Sequence, residues 1–172
     1  AINGPADIDR WVRACEQNDL EFHVWCVPQG LDIENETNVI IQTCQRAGVQ
    51  SMILDVEPYA GFWQGGQEAV RPFMLRLRRA LGTRFHIAMS MDPRPWHYKS
   101  IYPEEWFPFV NSLHPQCYWY TFRNTPDQTL QQMVETWGGY GRPIIPALQG
   151  DAPVVDQQAA HTLTTQKYGF TG

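Results

Sequence analysis

Asp55 and Glu57 stand two residues apart in the run Ile53-Leu54-Asp55-Val56-Glu57. On an extended backbone both side chains leave the same side, with Cα atoms about 6.5–7 Å apart, so one substrate can meet both. A carboxyl beside another carboxylate in a partly dry pocket holds its proton to higher pH, which a general acid working near neutrality requires. Pro58 restricts Glu57 to extended conformations and helps project it from the strand end. The competing reading is a pair of rim carboxylates tied to backbone or to an arginine. Asp92, followed by Pro93, is the next candidate for a base or a substrate contact, although Asp-Pro also suits a strand-end turn.

Other chemistries fit less well. Asp55, Glu57 and Asp92 on neighbouring strands are the donor set of a Mg²⁺ site. Metal-dependent barrel enzymes of that kind and Schiff-base aldolases usually place a lysine in the barrel, and the only lysines are Lys99 and Lys167, outside any strand. The five histidines form no HxH or HExxH pattern and read as core or surface residues. Gly65-Gly66 and Gly138-Gly139 punctuate loops and lack the strand-to-helix context of a phosphate loop. No cofactor or metal is implied.

The elements that must position these residues alternate along the chain. Apolar runs predict strands over 21–27, 51–57, 85–92, 116–121 and 143–149. Helical periodicity falls between them: Ile8, Trp11, Val12 and Cys15; Val39, Ile40, Cys44 and Ala47; Ala69 to Leu81, with Pro72 in the first turns; 103–113, weakened by Pro108; and about 154–168. Thr125, Pro126 and Gln128 spell a capping box ahead of Leu130, Met133, Val134 and Trp137. Strand starts recur about every 30 residues with a helix between them, which implies parallel pairing.

Alternation along each strand separates a barrel from an open sheet. Met52, Leu54 and Val56 oppose Ser51, Ile53, Asp55 and Glu57; Phe85, Ile87, Met89 and Met91 oppose His86, Ala88, Ser90 and Asp92; Phe22, Val24 and Cys26 oppose His23, Trp25, Val27 and Gln29. One face is apolar and the other mixed. An open sheet covered by helices on both sides would be apolar on both, whereas a barrel interior turns polar near its mouth. The expected fold is therefore a parallel (β/α) TIM-type barrel. A closed barrel usually takes roughly 200–250 residues, so the 172 residues are expected to be one domain, 1–172, holding five to six strands of a barrel truncated at both ends, with a further strand starting at 169–172.

Active sites of such barrels gather at the C-terminal strand ends. Besides the carboxylates, these ends supply Gln29, Gln116, Tyr118, Tyr120, Gln149 and Asp151. Trp25, Trp63 and Trp96 are candidate sugar-stacking walls; Trp119 has outward parity.

Composition bounds the partners. Hydrophobic residues make up 43% and charged residues 18%, an ordinary globular balance, and a net charge of -5 provides no basic stripe for nucleic acid or an anionic membrane. The first residues lack the pattern of a signal peptide, and no apolar run approaches the length of a membrane span. Cys15, Cys26, Cys44 and Cys117 show no metal-ligand spacing and read as buried thiols, which leaves the compartment open.

The segment 53–57 resembles the strand carrying the catalytic glutamate of glycoside hydrolase family 25 lysozymes and, more loosely, the DxE ending of the family 18 chitinase signature. Gln116-Cys117-Tyr118 is similar to the aromatic strand that follows in both families. Gln50, Ser51 and Met52 stand where family 18 has further aspartates, and the early aspartate of family 25 has no counterpart here. The resemblance implies that Glu57 protonates a glycosidic oxygen, that Asp55 orients the substrate or a 2-acetamido group acting as nucleophile, and that Tyr118 hydrogen-bonds that group. Asp92, Gln116, Tyr120, Gln149, Asp151, Trp25, Trp63 and Trp96 would line the substrate, a peptidoglycan-like or chitin-like polysaccharide. A glycosidase of this kind is expected outside the cell or in its envelope. The alternatives are a carbohydrate-binding barrel without catalysis and a Mg²⁺-dependent barrel enzyme.

Overall fold

The computed structural model describes residues 5–170. Helix α1 (Pro5–Glu16) leads into β1 (Phe22–Cys26), α2 (Ile33–Cys44), β2 (Val49–Asp55), α3 (Gly66–Leu81) and β3 (His86–Met91). Two short helices, α4 (Pro95–Tyr98) and α5 (Pro103–Trp106), precede β4 (Ser112–Cys117). The single turn α6 (Trp119–Phe122), then α7 (Pro126–Trp137), β5 (Ala147–Leu148) and α8 (Val154–Thr162) complete the order. The five strands pair in parallel in the order β1-β2-β3-β4-β5. The sheet curls into half of a TIM-type barrel.

Side-chain parity matches the two faces read from the sequence. Val24, Met52, Leu54, Ile87, Met89, Met91 and Leu113 are buried in one core cluster together with α1, α2 and α3 residues such as Ile8, Ile40, Phe73 and Leu77. The opposite parity carries the polar set. Asp55 is the register partner of Ser90, and Ser90 that of His114, so the end of β2 faces polar positions on its neighbours.

Chain breaks follow local chemistry. The Asp32 side chain accepts the Asn35 N–H at 3.0 Å and starts α2 well before Val39. At Gly48 the backbone has φ +85° and a Cβ would stand 2.2 Å from Val12, so α1 closes onto the start of β2 only over a glycine. The Thr125 capping box is formed, with Gln128 N–H on Thr125 Oγ1 at 3.2 Å and Thr125 N–H on Gln128 Oε1 at 2.9 Å. Thr125→Ala is expected to lower stability by about 1 kcal/mol, read as a shift in urea midpoint with an unchanged slope.

Some boundaries differ from expectation. Helix α3 begins at Gly66 and carries Pro72 in its interior. Trp11 is exposed beside Arg10 rather than in the helix-sheet core. The helix expected over 103–113 stops at Trp106, since Pro108 has no N–H to continue it, and the fourth strand starts at Ser112 rather than 116. Pro115 lies within this strand and has no N–H for the ladder. It is tolerated because pairing toward β5 is broken between the Leu113–Ile144 bridge and Gln116–Ala147, with Pro115 in the gap. Residues 119–122, aromatic and β-branched, leave the sheet as α6, whose first N–H groups at Tyr120 and Thr121 are accepted by Gln149 Oε1 at 2.9 and 3.1 Å. Helix α8 runs on through a π turn at Leu163–Lys167. The strand expected at 169–172 lies partly outside the described residues; Gly169 and Phe170 are irregular.

Candidate active site

The chain after β2 stays tied to β3, because the Val56 N–H donates to the Ser90 carbonyl at 2.9 Å. Asp55 and Glu57 therefore leave the same edge of the sheet, and both are buried, at 5% and 3% exposure. Gln116, from β4, donates through Nε2 to Asp55 Oδ1 at 2.9 Å and to Ser90 Oγ at 3.2 Å. The Asp92 backbone N–H donates to Glu57 Oε2 at 3.3 Å.

These partners set the two carboxyls apart. Burial pushes Asp55 up to about 6, while hydrogen bonds from Gln116 and Ser90 favour its ionised form. Glu57 is pushed up to about 8, first by burial and then by the charges of Asp55 and Asp92; the Asp92 N–H and Arg94 oppose this. At neutral pH Asp55 is ionised and Glu57 holds its proton, the division of roles that acid-base chemistry on one substrate requires. Tyr118 follows β4 directly. Burial, then the Asp55 and Glu57 charges, hold its hydroxyl above the ordinary range, so it remains a donor.

Asp92 is not a free base. Arg94 grips both of its oxygens, with Nε 3.0 Å from each, and the Tyr59 hydroxyl donates to Oδ2 at 3.0 Å. His97 Nε2 lies 3.7 Å from the same oxygen. Arg94, Tyr59, Ser90 and His97 escaped the sequence reading. The one available signal was Asp92-Pro93-Arg94, an acid and a base two residues apart at a strand end.

The other candidates separate into groups. Gln149 is buried, and it also donates to Thr121 Oγ1 and Asp151 Oδ1, each at 2.8 Å, so its side chain is committed to bracing α6. Asp151 lines a shallow depression with Tyr118 and Thr121. Tyr120 and Trp96 are exposed, Trp96 with Arg94 5.4 Å from its ring centroid. Trp25 is exposed on the edge strand β1, where it borders a groove with Ile8, Ile40 and Met52 that includes none of the carboxylates. Trp63 is not at the carboxylates' surface: it is 6% exposed, edge-on to Trp106 at 4.7 Å and Phe73 at 5.5 Å, with Nε1 donating to the Gly66 carbonyl. Trp119 is buried against Ala152 and Ala160, as its outward parity requires.

Among the described residues no group of three or more His, Cys, Asp or Glu side chains is arranged to hold a metal ion, and no helix is long and apolar enough to cross a membrane. The four cysteines are unpaired; Cys44 and Cys117 are buried and Cys15 and Cys26 partly so, and burial pushes Cys26, Cys44 and Cys117 up to about 12.

Sheet, parity and strand-end carboxylates together define a parallel (β/α)-barrel architecture with its polar site at the C-terminal mouth. Solved structures carry the same architecture. A chitinase from Rhizomucor miehei superposes with a TM-score of 0.59 at 9% identity, over 83% of this chain and 55% of that one. The chitinase domain of the spore coat protein CotE from Clostridium difficile gives 0.63 at 13%, over 85% and 54%. An active-site mutant of a Rhizomucor miehei β-1,3-glucanosyltransferase, in complex with laminaritriose, gives 0.61 at 14%, over 85% and 56%. The shared fold is thus a (β/α)-barrel segment, and the chain spans about half the length of these structures. None of the three is described as a lysozyme. No protein-family model and no curated protein sequence matches the chain.

Proposed function

We propose that the protein is a glycoside hydrolase acting on an N-acetylated, β-linked polysaccharide, with Glu57 as the general acid. The observation that carries this reading is the geometry of the pair: Asp55 and Glu57 leave one edge of the sheet, both buried, Asp55 held by Gln116 and Glu57 by the Asp92 N–H, and burial raises Asp55 to about 6 and Glu57 to about 8. Glu57 gives its proton to the glycosidic oxygen as the bond to the anomeric carbon breaks. Asp55, braced by Gln116, accepts a hydrogen bond from the substrate and stabilises positive charge developing on it. For a 2-acetamido sugar, that group is the nucleophile, Asp55 orients its N–H, and Tyr118 donates to its carbonyl oxygen. Two of the structures named above are a chitinase and a chitinase domain, which favours this substrate class.

The test is cleavage of chitin oligosaccharides and of peptidoglycan by the whole protein, followed as new reducing ends across pH. The pair titrates as a unit, so kcat/KM should rise through about 6 as Asp55 ionises and fall through about 8 as Glu57 loses its proton. Tight oligosaccharide binding with no new reducing ends at any pH would overturn the enzymatic reading in favour of a carbohydrate-binding barrel.

A further inference from the structure

Arg94 lies two residues beyond Asp92, in a turn where its own backbone N–H donates to Asp92 Oδ1 at 2.9 Å. The guanidinium closes on the same carboxylate, Nε on both oxygens and Nη2 on Oδ2. Nη2 also donates to the Tyr59 hydroxyl at 3.0 Å. Two rings hold the guanidinium in place, Phe122 with its centroid at 4.1 Å and Trp96 at 5.4 Å. One side chain therefore joins the segments that follow β2, β3 and β4. The residue it clamps is the one whose backbone N–H reaches Glu57.

We infer that Arg94 is a positioning residue for the Glu57 carboxyl, fixing the Asp92 N–H that holds Glu57 and cancelling the negative charge Asp92 directs at it. Its role in turnover rests on the reading of Glu57 as the acid. The groups that act on Glu57 come from three directions. Asp55 on β2 and Asp92 after β3 favour its protonated form, and Arg94 opposes them. Tyr118, after β4, presents a neutral hydroxyl. Tyr59 and His97 both approach the Asp92 carboxylate at Oδ2, and the Glu57 charge also acts on Tyr59. Burial holds His97 below its ordinary range, so at neutral pH it does not supply the compensating charge. Arginine stays protonated throughout the working range. It adjusts the proton affinity of Glu57 without titrating itself.

The test is the titration midpoint of Glu57, read directly by carbon NMR of side-chain-labelled glutamate and, in parallel, as the alkaline limb of the activity profile. Asp92→Asn leaves Arg94 uncompensated and should lower the midpoint by about one pH unit; Arg94→Met leaves Asp92 uncompensated and should raise it by about the same amount. The double variant should return close to wild type. A merely structural role would move both single variants the same way, and shifts of one sign, or none, would overturn the inference. Arg94→Lys keeps the charge on a single ammonium in place of the planar fork and should restore most of the Arg94→Met shift; failure of that rescue counts against the inference as well. Because the titration observes Glu57 itself, it decides the matter whether or not any glycan is cleaved. Absence of cleavage with midpoints that move in opposite directions would sink the enzymatic reading and leave the positioning role standing.

Discussion

Glu57→Gln should reduce glycan cleavage by about 10²–10⁴-fold, the range a positioned general acid supplies, while oligosaccharide affinity changes only a few-fold. The amide keeps the shape of the side chain and can still accept the Asp92 N–H, but it has no proton to give. Activity within tenfold of wild type would remove Glu57 from the acid role. The same substitution has a stability signature of known sign. Glu57 goes from an ordinary 4.5 to about 8 on folding, so its protonated form favours the folded state. That contribution is complete below pH 4.5 and is lost as pH rises through about 8. Across this window the wild type should lose up to about 1.4 kcal/mol per pH unit, on the order of a few kcal/mol in all. The Gln variant, which cannot ionise, should be flatter, and more stable than wild type near pH 9. Urea unfolding at several pH values between 5 and 9 measures both slopes. Parallel slopes would mean that Glu57 is not buried as the geometry requires.

Trp63→Ala should cost about 3–5 kcal/mol of stability and leave oligosaccharide affinity per folded molecule unchanged. The ring fills space between Phe73 and Trp106, two fully buried residues, and lies so close to Gly30 that a Cβ there would meet it at 2.6 Å. Removing it leaves a cavity under the loop after β1. Denaturant midpoints give the loss, and affinity measured well below the new transition gives the second half of the test. A large affinity loss without destabilisation would return Trp63 to the substrate wall.

The contrast between Trp63 and Trp96 shows where linear reading fails. Both are tryptophans in segments that follow a strand, and no local pattern separates them. Trp63 is drawn inward because Phe73 on α3 and Trp106 on α5 present aromatic edges to it, and those helices meet only in three dimensions. Asp92 makes the same point in charge. An Asp-Pro at a strand end fits a base, a substrate contact or a turn, and the guanidinium that claims it is oriented by Phe122, 28 residues further on.

The fourth strand fails for a different reason. Residues 116–121 alternate like a strand, yet propensity in a sheet reports packing against neighbours, and the Gln149 side chain instead draws the Tyr120 and Thr121 N–H groups into a helical turn. Tyr118, expected inside that strand, instead falls directly after β4, within reach of the Asp55 and Glu57 charges.

Asp55 and Glu57 were legible from the start, because two residues of separation on an extended chain forces a shared side and alternation forces the apolar partners outward. Parallel order and the barrel class were legible in the same way, from periodicity and from helices inserted between strands. Sequence alone determined which side each strand residue takes and which end of the sheet gathers the polar residues, since both follow from backbone geometry repeated locally. The tertiary structure alone decided that Glu57 and Asp55 hold different protonation states and that Arg94 neutralises Asp92. Burial and charge act through space, between side chains contributed by strands and loops far apart in the chain.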